Sequence, residues 1–402
     1  MAGCRLALTY DEVCEHIAVR SPLTGVAQAE RIARKKLPAP VYEFIRGGNE
    51  ANVTVRANVK AFEEIGLRPR VATTRDERQL RTTVLGTAFS MPIMPTPAGF
   101  IRIAHPDAEA GVARAAQRAG VPIGLSILSS IAMEEICALN DNVWLQLYLI
   151  GGLSGTKEVI DRARAAGVRA LIVTVDLASG TGGNDRGKPM PPPSVITPGT
   201  ALRFAPHLAR HPRWAWQFAR GGLALHVPNV PGPDGRIMTV ADGSRALREY
   251  PPTWDDIRFI REQWSGPLIV KGIVTPEDAR IAADIGVDGL SVSNHGGNGL
   301  DGGPATITAL PAIADAVGDR VAVLMDGGVR RGSDVVKALA LGARAVLIGR
   351  AYIWALAAAG EQGVDDILAA FRKGIAGTLS LLDVPGVHDL AGRDILQRNT
   401  TT

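Results

Sequence analysis

Short runs of apolar residues alternate with amphipathic stretches from about residue 90 onwards. These runs are continuously apolar, which is typical of strands that are buried on both faces of a parallel sheet. The eight predicted strands are Pro92–Pro97, Pro122–Ile127, Val143–Leu149, Ala170–Val175, Pro267–Lys271, Gly289–Ser293, Val321–Met325 and Ala345–Ile348. The predicted helices between them include Ala108–Ala119, Thr156–Ala166, Pro276–Ile285, Thr306–Val317 and Gly332–Leu341. Eight such units favour a TIM (β/α)8 barrel, with a doubly wound sheet as the alternative.

Two segments fall outside this alternation. Residues 24–64 have a helical pattern, in which a helix begins at Leu37–Pro40 and carries Val41, Phe44 and Ile45 on one face. Residues 177–252 separate the fourth strand from its helix and are too long for an ordinary connection.

We therefore expect a single domain over residues 1–402 with an N-terminal extension (1–90) and a lid (177–252). In that lid, Trp214 and Trp216 are large enough to cover a bulky ligand.

Composition and charge narrow the class of protein. Hydrophobic residues make up 46% and charged residues 21% of the chain, which is ordinary globular composition. The net charge is only +4 and no run of five Lys or Arg occurs, so nucleic acid is not an expected partner. The three cysteines have neither metal spacing nor an even number, which favours free thiols in the cytoplasm and no metal. We expect neither a secretory signal nor a membrane span.

Polar residues end most of the predicted strands, where barrel enzymes carry their catalytic groups. They are Ser126, Gln146, Tyr148, Thr174, Asp176, Lys271, Ser293, Asn294, His295, Asp326 and Arg350. Solvated strand caps explain one or two of them, but the whole set on one rim indicates a functional site.

The last two strands end in sequences that suit a phosphate group. Asp326–Gly332 follows the seventh strand and Gly349-Arg350 follows the eighth. Glycines let backbone N–H groups approach an anion, arginine adds a charged fork, and phosphate sites recur at this place in the fold. The phosphate belongs either to a cofactor or to a substrate on this observation alone.

Three of the strand-end residues have roles that depend on their surroundings. Lys271 can form a Schiff base, stabilise an anion or extend to solvent as a structural residue. His295 ends a strand beside two glycines that clear space around it. Asp176 is the kind of residue that orients a catalytic imidazole or stabilises its charge.

Three motifs carry a resemblance to a known family. Ser293–Gly297, Asp326–Asp334 and Leu339–Ala343 resemble the FMN-dependent 2-hydroxy acid oxidase/dehydrogenase family, over about residues 26–390. Asn298, Leu300–Gly302, Pro251–Trp254 and Val387–Leu390 are similar to one branch of that family. That branch oxidatively deaminates a peptide-derived aminopyrrolidinone to an α-keto amide during the biosynthesis of a redox cofactor.

The resemblance implies a role for each site residue. FMN is the cofactor and owns the phosphate. Its ring is lined by Pro97, Ala98 and Gly99, bonded by Ser126, Gln146 and Thr174, and touched by Ser293. Its phosphate is held by Gly328, Arg330, Gly349 and Arg350, and its ribityl chain by Asp326. Lys271 stabilises the reduced anionic flavin, Tyr148 faces the substrate, and His295 is the base that Asp176 supports. A homotetramer is implied, with O2 or another electron acceptor.

Departures from the family concern the substrate carboxylate. Hydroxy acid oxidases clamp it with two arginines, which align here with Asn298 and Gly183, and Phe44 replaces an assisting tyrosine. Arg186 is the nearest arginine to the second position. We expect a bulky, peptide-derived small molecule without a free carboxylate to bind against Phe44, Tyr148, His295 and Asn298.

Other readings remain open. The alternative function is that of a lactate- or mandelate-type oxidase or dehydrogenase. A flavin-binding scaffold without turnover is opposed by the retained Lys271, His295, Tyr148 and Asp176. Gly180–Asp185 differs even from the resembled branch, which leaves another biosynthetic intermediate open as the substrate.

Overall fold

The computed structural model describes residues 21–390 and 395–398, apart from 73, 75, 178–196, 221, 223, 231, 233–235 and 248. The strands are β1 (Ile65–Leu67), β2 (Thr82–Val84), β3 (Thr87–Phe89), β4 (Ile93–Pro95), β5 (Ile123–Ser126), β6 (Val143–Leu147), β7 (Ala170–Thr174), β8 (His226–Val227), β9 (Met238–Thr239), β10 (Leu268–Ile273), β11 (Gly289–Val292), β12 (Ala322–Met325), β13 (Ala345–Ile348) and β14 (Leu396–Arg398). The helices are Val26–Lys36, Ala39–Arg46, Val53–Glu63, Ala108–Ala119, Met133–Cys137, Gly152–Ala166, Pro198–Arg210, Pro212–Arg220, Val240–Ala246, Trp254–Gln263, Pro276–Ile285, Thr306–Val317, Gly332–Ala340 and Arg350–Leu382.

Eight strands form one parallel sheet in the order β4-β13-β12-β11-β10-β7-β6-β5. From β5 to β13 each barrel strand pairs with the next one along the chain, and β13 pairs with the first strand, β4, so that β4 and β5 are the two edges of the sheet. Between these edges a Cβ added to Gly124 would lie 3.0 Å from the carbonyl oxygen of Pro95, so glycine permits the close approach. The prediction of a TIM barrel is confirmed, and a doubly wound sheet is excluded by this strand order.

The barrel is sealed at the end where its strands begin. Phe89, from the β2–β3 hairpin, packs edge-to-face on Trp144 of β6, with 5.8 Å between the ring centroids. The side chains of Ile172, Ile269 and Leu324 are buried in the same cluster. Because this end is filled with apolar side chains, only the opposite end, where the strands finish, remains open to polar chemistry.

The predicted strand limits agree with the observed ones to within a few residues, and β13 agrees at both ends. The largest differences are two residues, at the ends of β4, β6 and β10, and only β10 is longer than predicted there, because it continues past Lys271 to Ile273. Gly272 has φ 117°, and the register with β11 shifts between Lys271 and Ile273. A β-bulge of this kind re-aims side chains at the rim of a barrel, next to the site.

The described part of residues 177–252 contains three helices, Pro198–Arg210, Pro212–Arg220 and Val240–Ala246, and the β8–β9 hairpin. Trp214 is buried, donates its indole N–H to the carbonyl oxygen of Ile103 at 2.8 Å, and stacks on Phe218. Trp216 is 58% exposed.

Neither tryptophan lines the cavity described below, so the structure shows neither ring in contact with that space. The reason is helical spacing: Trp214 and Phe218 share the barrel-facing side of their helix, and Trp216 does not. Within the described ranges, no helix combines the length and apolarity that crossing a bilayer requires.

Candidate active site

A cavity of about 490 Å³ lies where the barrel strands end. It is lined by most of the predicted site residues, namely Phe44, Pro97, Ala98, Gly99, Ser126, Gln146, Tyr148, Thr174, Lys271, His295, Asn298, Asp326, Gly328, Arg330, Gly349 and Arg350. Asp176 and Ser293 hydrogen-bond to lining residues from behind, and the strand-end residue Asn294 directly precedes the lining residue His295. The structure thus gathers the whole predicted set around one space.

The cavity also has lining residues for which sequence analysis gave no role. They are Thr96, Phe100, Ile101, Ile103, Leu128, Leu177, Leu247, Val329, Leu347 and Ile353. Thr96 is a polar residue just past the end of β4, so the signal that found the other strand ends applies to it as well. The apolar residues carry no chemical signal in the sequence, and Leu247 comes from a segment far from any barrel strand.

His295 is presented by a turn of left-handed backbone. After β11 the chain passes through His295, Gly296 and Gly297 with φ values of 56°, 61° and 85°. Positive φ is uncommon for a residue with a Cβ and is a form of strain found at functional sites. Nδ1 of His295 lies 2.9 Å from Oδ1 of Asp176. This contact engages one ring nitrogen and leaves Nε2 for a ligand.

The Asp176 carboxyl group remains ionised in this place. Burial raises its pKa, but the charges of His295 and Lys271 and the hydrogen bond to His295 outweigh burial and hold the pKa below its ordinary value. Gly272 makes room for it, because a Cβ there would lie 2.7 Å from the Cβ of Asp176. The arrangement fits a carboxylate that orients the imidazole and stabilises its protonated form.

Lys271 belongs to a compact buried network. Its Nζ donates to Oγ of Ser293 at 2.9 Å and lies 3.2 Å from Oδ2 of Asp326. The Ser293 hydroxyl donates to Oδ1 of Asp326 at 2.8 Å. Burial lowers the pKa of Lys271, but the carboxylates of Asp326 and Asp176 raise it above its ordinary value. The raised pKa favours the charged amine, which cannot attack a carbonyl to form a Schiff base, so the network favours the stabilisation of an anion.

The opposite wall carries hydroxyl and amide groups with fixed orientations. The Ser126 hydroxyl donates to Oε1 of Gln146 at 2.9 Å, and Nε2 of Gln146 donates to the carbonyl of Leu147 at 2.7 Å. The hydroxyls of Thr96 and Thr174 are buried without a partner in the described protein. Buried polar atoms of this kind are normally hydrogen-bonded, so they indicate a polar ligand in the cavity.

Tyr148 faces the cavity with a protonated hydroxyl group. Burial first, and then the negative charge of Asp176, raise its pKa above the ordinary value. The raised pKa favours the neutral phenol, which can donate a hydrogen bond into the cavity.

The glycine-rich end of the cavity holds two arginines. Gly327 and Gly328 have φ values of 94° and 82°, and Gly349 also lines the cavity. Desolvation lowers the pKa of Arg330, and desolvation together with the charge of Arg330 lowers that of Arg350 to about 10. Two like charges held together in low dielectric are stabilised by an anion, which is what a phosphate group supplies.

Arg350 has a second set of contacts. It donates to the carbonyl oxygens of Ile45 at 2.8 Å, Gly296 at 2.7 Å and Gly47 at 2.6 Å. The guanidinium therefore ties the N-terminal helix to the His295 turn, and two of its five N–H groups remain for an anion.

Phe44 does not share the buried face of its helix with Val41 and Ile45, although the sequence pattern predicted that it would. Val41 and Ile45 are buried, but Phe44 is 47% exposed at the cavity rim. The helix packs Val41 and Ile45, which are four residues apart, against the core, and this turns Phe44 towards the opening. Nδ2 of Asn298 donates to the carbonyl of His295 at 2.8 Å. Gly183 and Arg186 lie outside the described residues.

Comparisons with known proteins agree with this geometry. A family profile described as FMN-dependent dehydrogenase matches residues 33–398. A pre-mycofactocin synthase of Mycolicibacterium smegmatis is 46% identical over 375 residues, which cover 92% of this chain and 93% of that protein. An L-lactate dehydrogenase of Caulobacter vibrioides is 40% identical over 364 residues, which cover 89% and 93% of the two chains.

A solved structure has the same fold. The crystal structure of mandelate oxidase with (S)-4-hydroxymandelic acid matches with a TM-score of 0.77 at 32% sequence identity. The match covers 92% of this chain and 97% of the mandelate oxidase chain. The similarity therefore spans the barrel together with its additions.

Proposed function

The chain belongs to the FMN-dependent dehydrogenase family, and we propose that its substrate is a bulky molecule without a free carboxylate. The protein is thus an FMN-dependent oxidoreductase, as the sequence motifs predicted. The proposed reaction oxidises a carbon that bears an amine or hydroxyl group next to a carbonyl. One observation carries the choice of substrate: Asn298, at a position where the resembled hydroxy acid oxidases have an arginine, holds the His295 carbonyl and carries no charge.

The residues of the cavity fit FMN. Its phosphate suits the glycine-rich end, where desolvation lowers the pKa of both Arg330 and Arg350 and where Gly328 and Gly349 line the cavity. The polar wall made by Ser126, Gln146 and Thr174 suits the edge of a flavin ring, Asp326 its ribityl chain, and Pro97, Ala98 and Gly99 its face. When bound, FMN accepts the two electrons that leave the substrate carbon. Lys271, charged and buried, favours the negative charge that this transfer brings.

The remaining side chains handle the proton and the substrate oxygen. Nε2 of His295 accepts a proton from the substrate while the Asp176 carboxylate stabilises the imidazolium that results. The Tyr148 hydroxyl, which stays protonated, donates a hydrogen bond to the substrate carbonyl. The same groups serve proton abstraction from carbon and the assistance of hydride transfer, and both remain part of the proposal.

The proposed substrate class is a peptide-derived aminopyrrolidinone. Loss of two electrons and two protons converts its C–NH2 group to an imine, and water then releases ammonia and leaves an α-keto amide. The likeness to pre-mycofactocin synthase over 92% of the chain supports this class. O2, with hydrogen peroxide as the product, or another acceptor would take up the two electrons.

Anaerobic mixing with a synthetic aminopyrrolidinone tests the proposal. We expect bleaching of the flavin absorbance, one equivalent of ammonia and the α-keto amide by mass spectrometry. A flavin that stays oxidised with this compound, but is bleached by lactate or mandelate, would favour the alternative. That alternative is a hydroxy acid oxidase or dehydrogenase, and the likeness to L-lactate dehydrogenase and mandelate oxidase supports it.

We also propose the organisation and setting of the protein. Residues 1–402 form one domain, in which 177–252 act as a lid that reaches the cavity through Leu177 and Leu247. The assembly is a cytoplasmic homotetramer. The family resemblance supports the tetramer, and the free thiol of Cys137 supports a reducing compartment. Native mass spectrometry tests the subunit count, and fractionation of the source cells tests the compartment.

A further inference from the structure

A buried pair of asparagine side chains joins the N-terminal extension to the end of β11. Nδ2 of Asn58 donates to Oδ1 of Asn294 at 2.8 Å, and Nδ2 of Asn294 donates to Oδ1 of Asn58 at 2.8 Å. Asn58 is 2% exposed and Asn294 is 8% exposed. Reciprocal hydrogen bonds between two side-chain amides fix the orientation of both. Asn294 is the residue directly before His295.

The same asparagine packs against the turn that follows β12. A Cβ on Gly328 would overlap the backbone carbonyl of Asn58, and a Cβ on Gly327 would lie 3.3 Å from its Nδ2. Oδ1 of Asn58 also accepts the backbone N–H of Thr306 at 3.3 Å. Asn58 therefore lies between the turn that carries His295 and the turn that leads to Arg330.

Neighbouring residues of the extension hold the rest of the His295 loop. Nδ2 of Asn49 donates to the carbonyl of Gly299 at 2.9 Å. The Asp301 carboxylate accepts the backbone N–H groups of Ala51, Val53 and Thr54 at 3.0, 3.1 and 2.8 Å. These contacts lie outside the cavity, so they act on the loop and not on a ligand.

We propose that Asn58 is a positioning residue that sets the distance between the proton-accepting His295 turn and the phosphate-binding Gly327–Gly328 turn. It touches neither cofactor nor substrate and acts through Asn294 and the two glycines. The N-terminal extension is then a structural part of the active site, although the extension itself contains no barrel strand. This inference holds for any substrate that the cavity accepts.

Release of FMN from the holoenzyme tests the proposal without a substrate. Asn58→Ala is expected to release FMN at least about tenfold faster after dilution, followed by flavin fluorescence. Hydrogen exchange should rise in residues 293–299 and 326–330 together. Lys60→Ala is the matched control, because Lys60 lies on the same helix in an exposed ion pair with Glu64. It should leave both readouts within about twofold of the wild type.

Two outcomes would overturn the proposal. One is a release rate for Asn58→Ala within about twofold of the wild type. The other is faster exchange confined to the Val53–Glu63 helix, which would show that Asn58 merely stabilises its own element.

Asn58→Asp keeps the test decisive if the alanine variant does not fold. A neutral carboxyl group has the same acceptor and donor as the amide and can pair with Asn294, whereas a carboxylate cannot donate. Burial raises the pKa of such a carboxyl group. The variant should therefore release FMN much faster than the wild type at pH 8 and approach the wild-type rate near pH 5.5. A ratio of the two rates that stays constant over this range would contradict the positioning role.

Discussion

Nδ1 of His295 and Oδ1 of Asp176 are 2.9 Å apart, although 119 residues separate them along the chain. Asp176 follows β7 and His295 follows β11, and the strand between them, β10, opens a bulge at Gly272 that makes room for the carboxylate. The pair therefore depends on the barrel order and on one glycine. It leaves Nε2 as the nitrogen that can accept a proton in the cavity.

The first prediction concerns His295. His295→Ala removes the proposed proton acceptor but none of the groups that suit FMN, so the variant should bind FMN and lose flavin reduction by about 10²-fold or more. Stopped-flow absorbance under anaerobic conditions measures the rate. Near-normal flavin reduction by the variant would remove His295 from the mechanism.

The second prediction concerns Tyr148. Burial and the Asp176 charge raise its pKa, so the hydroxyl stays protonated up to at least about pH 10, its ordinary pKa. Tyr148→Phe removes one neutral hydrogen bond and should slow flavin reduction by roughly 2- to 12-fold, which corresponds to about 0.5–1.5 kcal/mol. The shape of the rate profile between pH 7 and 10 should not change. Loss of an alkaline inflection in the variant would show that the phenol titrates.

The third prediction concerns the buried pair formed by Lys271 and Asp326, whose charged atoms lie 3.2 Å apart. Lys271→Met leaves a buried carboxylate without its cation and should lower the free energy of unfolding by about 3–5 kcal/mol. Lys271→Met/Asp326→Asn removes both charges and should recover part of that loss. Urea unfolding measures all three proteins, and equal stability of the two variants would contradict the coupling.

The sign of the pH effect follows from the raised pKa of Lys271. A cation whose pKa rises on folding stabilises the folded state. This stabilisation is fully present at pH values below the pKa of the unfolded state, about 10.4, and is lost as the pH rises through the pKa of the folded state. The wild-type contribution should therefore be constant from pH 6 to 9. A decline within that range that disappears in Lys271→Met would contradict this assignment.

The fourth prediction compares two tryptophans of one helix. Trp214→Ala removes a buried indole, its bond to Ile103 and its stacking on Phe218, and should cost about 3–5 kcal/mol of stability. Trp216→Ala changes an exposed ring over which the Arg220 guanidinium lies at 4.7 Å. It should alter stability by no more than about 0.5 kcal/mol. Equal losses in thermal unfolding would show that the segment packs differently.

Much of the fold could be predicted because barrel strands are buried on both faces and read as continuous apolar runs. Barrel enzymes carry their catalytic groups where the strands end. Lys271, His295 and Asp326 could therefore be placed at the cavity from their positions at the ends of predicted strands. The direction in which Trp214 and Phe44 point depends on which face of a helix packs against the barrel. A single amphipathic helix in the sequence does not specify that partner.

Asn58 illustrates a different difficulty. It lies in a helix of the N-terminal extension and meets Asn294 across 236 residues of sequence. An asparagine in an amphipathic helix has no pattern that distinguishes a buried amide pair from a solvated side chain. Its role is visible only when both turns, at His295 and at Gly328, are seen beside it.

We expect that the cavity does not hold a small carboxylate. Asn298 stands where the resembled hydroxy acid oxidases have an arginine, and Lys271 is engaged by Asp326 and Ser293. The two arginines of those oxidases align here with Asn298 and Gly183. Each missing charge-assisted contact costs about 1.5–3 kcal/mol, so the loss of both corresponds to roughly 10²–10⁴ in specificity. Asn298→Arg should therefore raise oxidation of 2-hydroxy acids and impair that of the aminopyrrolidinone.

The most direct measurement is anaerobic stopped-flow reduction of the wild-type flavin by mandelate and, in parallel, by its neutral amide. Lactate and glycolate, at the same millimolar concentrations, extend the test to smaller acids. We expect negligible reduction of the wild-type flavin by each of the three acids and measurable reduction by mandelamide. In Asn298→Arg we expect mandelate to reduce the flavin faster than mandelamide does. Rapid reduction of the wild-type flavin by lactate or mandelate would show that the protein holds a carboxylate by other means, and hydroxy acid oxidation would become its function.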